Sequence, residues 1–483
     1  MFSLEKIKKT DTSKVWFFRF KKFDSNTYLI TNDVWKFEFL SLDEFDKFVS
    51  WDFYWLDKYD DLLKKWFIKG DHYEAKITGS YALKNSFIGL WPVLHMIVTT
   101  LRCNHKCRYC HAAVAPMEAK NFDMTKETAT KVVDTIFYTN SPSLTIEFQW
   151  WESLVNWEVV KHVVEYAKVK AQHLKKNLTF SIVTNLTLMT DEKFDWLFEN
   201  GVDISTSLDG DELTHNYNRD WYDGNSFERV TYWIKKINKR RTENGLSKIW
   251  ALLTVTKKNL KNYKKIIDTY IELGLDWIFL RWLNPYWFAA ADMENLAYES
   301  DDWIEFYKKS LDYIIELNKA WKNFREQITC VYLSKILSPQ DPNFMDVRSP
   351  SGIAIGWVAY NYDGKVYASD ESRMLWRMWI DDFLMTDMKE TWEETYREMM
   401  NSDLTKISVQ SSCLDGLPGY NDHVYKPYIW VDIIHNFKTT WSLYNPVMKD
   451  EKVKLQVAIL DYIFEKMRDE ETRKIFEKWI WIF

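Results

Sequence analysis

The chain has 483 residues, enough for two or three domains, and its 64 basic against 70 acidic side chains give a formal net charge of −6. That balance lends a nucleic-acid role no bulk electrostatic support. No run of about 18 apolar residues suggests a membrane span, and the N-terminus lacks a signal peptide's apolar core. Five cysteines, three of them clustered, fit a reducing cytoplasm rather than a disulfide scaffold. One ratio is abnormal. There are 26 tryptophans and only 13 glycines, whereas glycine alone normally makes about 7% of a protein. Several tryptophans also stand where the backbone calls for glycine, as at Trp150-Trp151, Trp277 and Trp287. The expectation is that UGA codons meaning glycine in the source organism were read here as tryptophan; the alternative is a truly tryptophan-rich protein.

Residues 1–88 mix aromatic strand-like stretches (15–20, 28–31) with short amphipathic helical ones (42–49, 59–67), which predicts a small α+β or winged-helix unit. The stretch 79–86 reads as a linker. This unit either packs as an extension on the larger alternating region or clamps a peptide by strand addition. From 89 to 322, strand-like segments at 93–100, 144–149, 178–184, 202–208, 250–256 and 277–283 alternate with helix-like ones at 125–139, 157–175, 191–200, 226–243, 259–273 and about 301–322. Such alternation predicts an α/β fold with parallel strands and right-handed crossovers. Residues 323–348 read as a linker, 349–445 as a further domain, and 446–483 as a C-terminal helix with an apolar face at 457–464.

The chemistry concentrates in residues 101–111, where Cys103, Cys107 and Cys110 stand on a loop after the first strand of the alternating region. Thiolates are soft ligands suited to iron–sulfur clusters, zinc or copper. A cubane cluster held by three thiolates leaves one iron open to a small molecule. A structural zinc site is the rival, because His105 or His111 could complete a Cys3His set. A loop at the C-terminal end of a strand is where barrel folds carry their chemistry, which favours the cluster.

The spacing C-x3-C-x2-C, with Tyr109 before the last cysteine and a strand ahead of it, resembles the signature of radical S-adenosylmethionine (SAM) enzymes. The resemblance implies a partial (β/α)6 TIM-type barrel, a [4Fe–4S] cluster on Cys103, Cys107 and Cys110, and SAM bound at its open iron. Further motifs share the same resemblance. Gln149-Trp150-Trp151-Glu152 stands where the family has Gly-Gly-Glu beside the SAM amino group, a place where a Cβ would collide with the ligand. Thr184-Asn185 resembles the family's Thr-Asn-Gly, with Leu186 as a departure. Ser207-Leu-Asp209-Gly210, with His215 and Arg219 after it, resembles a pattern of sulfatase-maturating and peptide-modifying members. It implies that Ser207 bonds the SAM ribose and that Arg219 forks onto its carboxylate; Asp209 either shares in that site or closes a turn with Gly210.

Residues 349–437 resemble the auxiliary-cluster domain of the SPASM or twitch type, but the ligand positions are rewritten. Ser351, Ser369, Tyr420, His423, Ile429 and Asp432 stand where the family has cysteines, so the expectation is a SPASM-like domain without its clusters. Asp370 occupies the place of an aspartate that takes a proton from the substrate in sulfatase-maturating enzymes; a structural turn aspartate is the competing reading. The resemblance is closest to the peptide-maturing branch, including the maturase of the His-Xaa-Ser repeat system. It implies reductive cleavage of SAM to a 5′-deoxyadenosyl radical, hydrogen abstraction from a peptide or protein substrate, and an external electron donor such as a flavodoxin or ferredoxin. The alternative is a non-catalytic paralogue, holding zinc or a cluster, that binds peptides.

Overall fold

The computed structural model describes residues 14–480 apart from 51, 53–55, 90, 91, 111, 113, 150, 285, 287, 288, 291, 340 and 343. Strands β1 (Arg19–Lys22), β2 (Thr27–Thr31) and β3 (Phe37–Ser41) form an antiparallel sheet in that order. A helix, Leu42–Val49, begins at once because Ser41 and Glu44 close a capping box. Its Phe45 and Phe48 meet Ile30, Leu40, Leu62 and Phe67 in a core separate from the main one. The unit is held to distant sequence by the Arg19–Asp33–Lys426 ion pairs at 2.9 Å, by Thr31 donating to the Val424 carbonyl at 2.6 Å, and by Phe37 against Phe464.

The next strands are β4 (Leu94–Ile97), β5 (His105–Cys107), β6 (Ser143–Phe148), β7 (Asn177–Val183), β8 (Val202–Ser207), β9 (Arg219–Trp221), β10 (Trp250–Thr254) and β11 (Trp277–Arg281). Strands β12 (Arg325–Glu326), β13 (Trp357–Tyr360), β14 (Val366–Tyr367) and β15 (Leu384–Thr386) complete the set. Ten of them make one sheet in the order β12-β11-β10-β8-β7-β6-β4-β13-β14-β15. Every pairing from β12 to β13 is parallel, and the last two are antiparallel. Helices link the parallel strands, so the α/β class stands.

The two faces of this sheet differ in chemistry. Side chains alternate along a strand, and Leu144, Ile146 and Phe148 of β6, Phe180 and Ile182 of β7, and Ile278 and Leu280 of β11 belong to the apolar core. Their neighbours Glu147, Ser181, Ser207, Thr254 and Arg281 line a cavity instead. All five are half-buried, so this face of the sheet meets an open space lined by polar groups from five strands.

Three sequence expectations are corrected. Residues 79–86 are no linker: helix Tyr73–Lys84 and the turn Ser86–Gly89 occupy them. The stretch 323–348 supplies β12 and the buried helix Gln327–Leu337, capped by Glu326, whose carboxylate accepts from the amides of Ile328 and Thr329. That helix is apolar nearly all round and so lacks the amphipathic period by which a surface helix is read. The tail beyond 446 makes two long helices, Glu451–Lys466 and Glu470–Glu477, because Asp469 starts a second cap. Among the described residues no helix is long and apolar enough to cross a membrane.

Backbone angles bear on the tryptophan excess. Among the described residues, ten other than glycine have positive φ, and six of them are tryptophans: Trp35, Trp66, Trp151, Trp321, Trp379 and Trp441. Left-handed backbone costs an L-residue roughly 1–2 kcal/mol and is the ordinary place of glycine after a helix. At Trp321 the closing bonds are those of a glycine cap, Trp321 N–H to Asn318 and Lys322 N–H to Leu317, and Trp66 and Trp379 repeat the pattern. Trp321 and Trp379 are 93% and 97% exposed, so no packing offsets the strain. Trp277, by contrast, sits in β11 and stacks on Trp250. Trp150 and Trp287 lie outside the described residues.

Candidate active site

The polar face of the sheet opens on a cavity of about 760 Å³, and Cys103, Cys107 and Cys110 all line it. Their loop is fixed at both ends. Arg102 bonds both carboxylate oxygens of Asp123 and the Met117 carbonyl. The short strand β5 pairs antiparallel with β9, which sets Cys107 opposite Arg219. Burial pushes the three thiols up, Cys107 to about 12, so donors must favour the thiolate. Such donors are present: the His105 amide lies 3.4 Å from Cys103 Sγ, Asn185 Nδ2 3.9 Å from the same sulfur, and Arg219 Nη1 4.0 Å from Cys107 Sγ. Among the described residues no three His, Cys, Asp or Glu side chains gather closely enough for a single ion. His111, one candidate zinc ligand, lies outside the described residues. Three thiols lining one cavity, two of them with N–H groups beside the sulfur, fit a cluster of several irons.

Beneath the loop runs a buried chain of partners. Tyr109 donates its hydroxyl proton to Asp209 Oδ2 at 2.7 Å, and Arg219 Nε reaches the same oxygen at 3.1 Å. Burial works against the Arg219 charge, but Tyr109 and Asp209 beside it raise its pKa above the ordinary value. Asp209 therefore anchors the site rather than closing a turn. His215 explains its neighbour: Nδ1 accepts from the Asp209 amide at 3.2 Å, which leaves Nε2 to donate to Ser226 Oγ at 3.0 Å. Gly210 is required at φ +104, where a Cβ would stand 2.8 Å from Ile266.

The other expected residues divide into two groups. Gln149, Trp151, Asn185, Ser207 and Arg219 share the cavity with the cysteines, as does Tyr109. Glu152 does not line it. Fully buried, it accepts from Thr184 Oγ1 at 2.7 Å, the Asn185 amide at 2.9 Å and the Leu154 amide at 3.1 Å, tying the β6 and β7 loops together. Trp151, at φ 52 and 9% exposed, lines the cavity from a small apolar cluster with Val98, Leu101, Ala112 and Ala115, and its Nε1 has no hydrogen-bond partner among the described residues. Behind the ring, 4.1 Å from its centroid, lies the Arg373 guanidinium. Arg373 is fully buried, none of its guanidinium nitrogens has a hydrogen-bond partner among the described residues, and burial lowers its pKa to about 9.

Asp370 also lines the cavity and hydrogen-bonds to its neighbour Glu371. Burial raises the pKa of both, and Glu371 is raised the more, with the Asp370 charge beside it as the next cause. Glu371, Arg281, Asp346 and Gln327 line the same cavity. The sequence singles out none of these four; the adjacency of Glu371 to Asp370 is the one available signal. The positions that resemble lost cluster ligands have found structural work. Ser369 caps the helix Asp370–Trp376, Asp432 caps Ile433–Thr440 and pairs with Lys452, and Tyr420 donates to the Asn445 carbonyl at 2.9 Å.

Residues 97–278 match the Radical SAM superfamily model, so the chain carries a radical SAM domain. Enzymes of that family use a [4Fe–4S] cluster and SAM. Among curated proteins, the radical SAM cyclopropyl synthase TigE of Paramaledivibacter caminithermalis is 30% identical over 245 residues, 47% of this chain and 48% of TigE. The chain thus spans about half the length of that relative. A cysteine-type anaerobic sulfatase-maturating enzyme of Clostridium novyi is 25% identical over 318 residues, 64% of this chain and 79% of the enzyme. Among solved structures, native anSMEcpe with bound AdoMet superposes with a TM-score of 0.64 at 16% identity, covering 79% of this chain and all of that one. Streptococcus suis SuiB bound to precursor peptide SuiA gives 0.52 at 13% identity, covering 90% and 98%. Identities this low bear on the fold alone.

Proposed function

We propose that this protein is a radical SAM enzyme that modifies a peptide or protein by hydrogen abstraction in the cavity above its cysteine loop. One observation carries the reading: three thiols, the Ser207 and Arg219 side chains and a buried carboxylate, Asp370, line the same cavity. When bound, a [4Fe–4S] cluster and SAM supply a 5′-deoxyadenosyl radical able to break an unactivated C–H bond. The chain's part is to hold, orient and exclude water. Cys103, Cys107 and Cys110 would hold the cluster; Arg219, kept charged by Asp209, would pair with the ligand carboxylate; Asn185 and Ser207 would offer hydrogen bonds from the next strands. Asp370 would take a proton from the substrate radical after hydrogen abstraction, and the electron then left on the substrate passes to an external one-electron acceptor, because the auxiliary-cluster ligand positions are rewritten. The peptide class of substrate is supported by the fold's likeness to SuiB solved with a precursor peptide and by sulfatase-maturating relatives. A flavodoxin or ferredoxin in a reducing cytoplasm is the electron source this chemistry needs.

We propose as well that residue 151 and the other left-handed tryptophans are glycine in the native protein. An indole in the ligand space, backed by a guanidinium with no acceptor, makes chemical sense only if it is absent. The test is anaerobic reconstitution of the chain with Trp150 and Trp151 replaced by glycine, and then assay for 5′-deoxyadenosine under reduction. A brown protein that releases it supports the reading; a colourless, zinc-loaded protein that releases none refutes it.

A further inference from the structure

We infer that the part of the cavity walled by Asp346, Glu371 and Gln327 is a subsite for a cationic side chain of the substrate. The inference rests on the reading above that the cavity takes a peptide or protein. Arg281, Asp346 and Glu371 line both the main cavity and an adjoining one of about 90 Å³, which no cysteine lines. The shared wall is therefore set apart from the cluster loop.

Charge comes first. Asp346, Asp370 and Glu371 bring three carboxyl groups to this wall, and Arg281 brings one cation. Asp432 and Lys452, also on the smaller cavity, neutralise each other as an ion pair. Asp346 is exposed onto the cavity and Glu371 half-buried. Carboxyl groups gathered on one cavity wall repel one another until a positive group arrives.

The second observation is independent of charge. Gln327 is 1% exposed, lines the main cavity, and has neither amide atom hydrogen-bonded. Asn284, on the smaller cavity and 7% exposed, has its Oδ1 without a partner among the described residues. Buried amides are nearly always bonded, and those left open at a cavity wall await a ligand. The open groups here are the acceptors Gln327 Oε1 and Asn284 Oδ1 and the donor Gln327 Nε2, beside the Asp346 carboxyl. A group rich in N–H donors, the ammonium of lysine or the guanidinium of arginine, suits the acceptors and the carboxyl groups, whereas a carboxylate finds only Gln327 Nε2 and Arg281 against three carboxyl groups.

The proton inventory gives a second readout. Burial, together with the charges of Glu371 and Asp432 and against those of Arg281 and Lys452, brings Asp346 to about 7. Glu371 is pushed well up, first by burial and then by Asp370. A bound cation favours both carboxylates, so binding releases protons, and affinity rises with pH as Asp346 ionises.

The test uses the full chain with Trp150 and Trp151 replaced by glycine, reconstituted with its cluster and SAM, and peptides of the form acetyl-Ala-Ala-Xaa-Ala-Ala-amide with Xaa lysine, arginine, norleucine or glutamate. Calorimetry in two buffers of different ionisation enthalpy measures affinity and proton release together. The lysine or arginine peptide is expected to bind about tenfold tighter than the other two, with protons released and affinity rising from pH 6 to pH 8. D346N and E371Q are each expected to shrink that preference severalfold while SAM affinity stays within about twofold, which guards against a folding defect. Equal binding of the norleucine or glutamate peptide, a preference that survives both substitutions, or no binding of any peptide overturns the inference. Failure to release 5′-deoxyadenosine with binding preferences intact would instead strike at the proposed function.

Discussion

The two walls of the cavity are assembled in different ways. The cysteine wall comes from one loop, with three ligands inside eight residues and its pairing partner Arg219 in β9. The opposite wall draws Arg281, Gln327, Asp346 and Asp370 from four separate segments, two of them in the stretch 323–348. Cofactor chemistry is common to a large family and fits a compact motif. Substrate chemistry is particular, and its groups are gathered only by the fold. Substitutions on the two walls should therefore fail differently: on the first, everything stops; on the second, SAM is still handled but the substrate is not.

The largest effect is expected on the cysteine wall. Replacing Cys103, Cys107 and Cys110 together by alanine should abolish bound iron, visible absorbance and 5′-deoxyadenosine release while the helix content by circular dichroism is unchanged. Retention of a full iron complement would break the comparison at its first term. On the far wall, D370N should lower substrate turnover by about 10²–10⁴, the usual worth of a positioned base, with 5′-deoxyadenosine still formed. Burial raises the pKa of Asp370, and only its ionised form accepts a proton, so turnover in the parent should climb with pH through that raised value. The same profile in D370N would assign the base elsewhere. Trp151 belongs to the apolar cluster against which Cys103 and Cys110 pack. Restoring glycine there should tighten SAM binding by about tenfold or more, measured by equilibrium dialysis, because the indole and the ligand compete for one space.

Strand and helix periods make the alternating core readable: β6, β7, β8, β10 and β11 begin within a residue of the positions expected from sequence, and the helices Trp157–Leu174 and Ser226–Glu243 are nearly unchanged. The failures have physical causes. Gln327–Leu337 is buried on every side and so shows no apolar stripe, and β12 is two residues long. Strand β13 reads from sequence as part of a separate domain, yet it pairs with β4 across some 260 residues of sequence, which no local pattern announces. At the site, Cys103, Cys107, Cys110 and Arg219 are legible because a motif fixes their spacing. On Glu152 the sequence is silent, because a loop carboxylate gives no sign whether it faces a ligand or three backbone and hydroxyl donors. Asp346 carries no signal at all.

The smallest effect is the most direct check on residue identity, and it lies far from either wall. Trp321, Trp379 and Trp441 are exposed and hold left-handed backbone after a helix. Replacing one by glycine has two opposing consequences. The folded state loses the strain of a Cβ at positive φ, roughly 1–2 kcal/mol. The unfolded chain gains freedom that stabilises it by about 0.4–1 kcal/mol. With exposures of 93%, 97% and 69% there is little apolar burial to lose at the first two and some at the third. W321G and W379G should each therefore raise stability by about 0.5–1 kcal/mol, and W441G by less, read as a shift in denaturant midpoint with the slope unchanged. Since the three sites are separate helix ends, the gains should add. A loss of stability at all three would mean that the native chain had adapted to tryptophan at these caps. The indole at position 151 would then have to be taken as native too, and with it a cavity that excludes SAM.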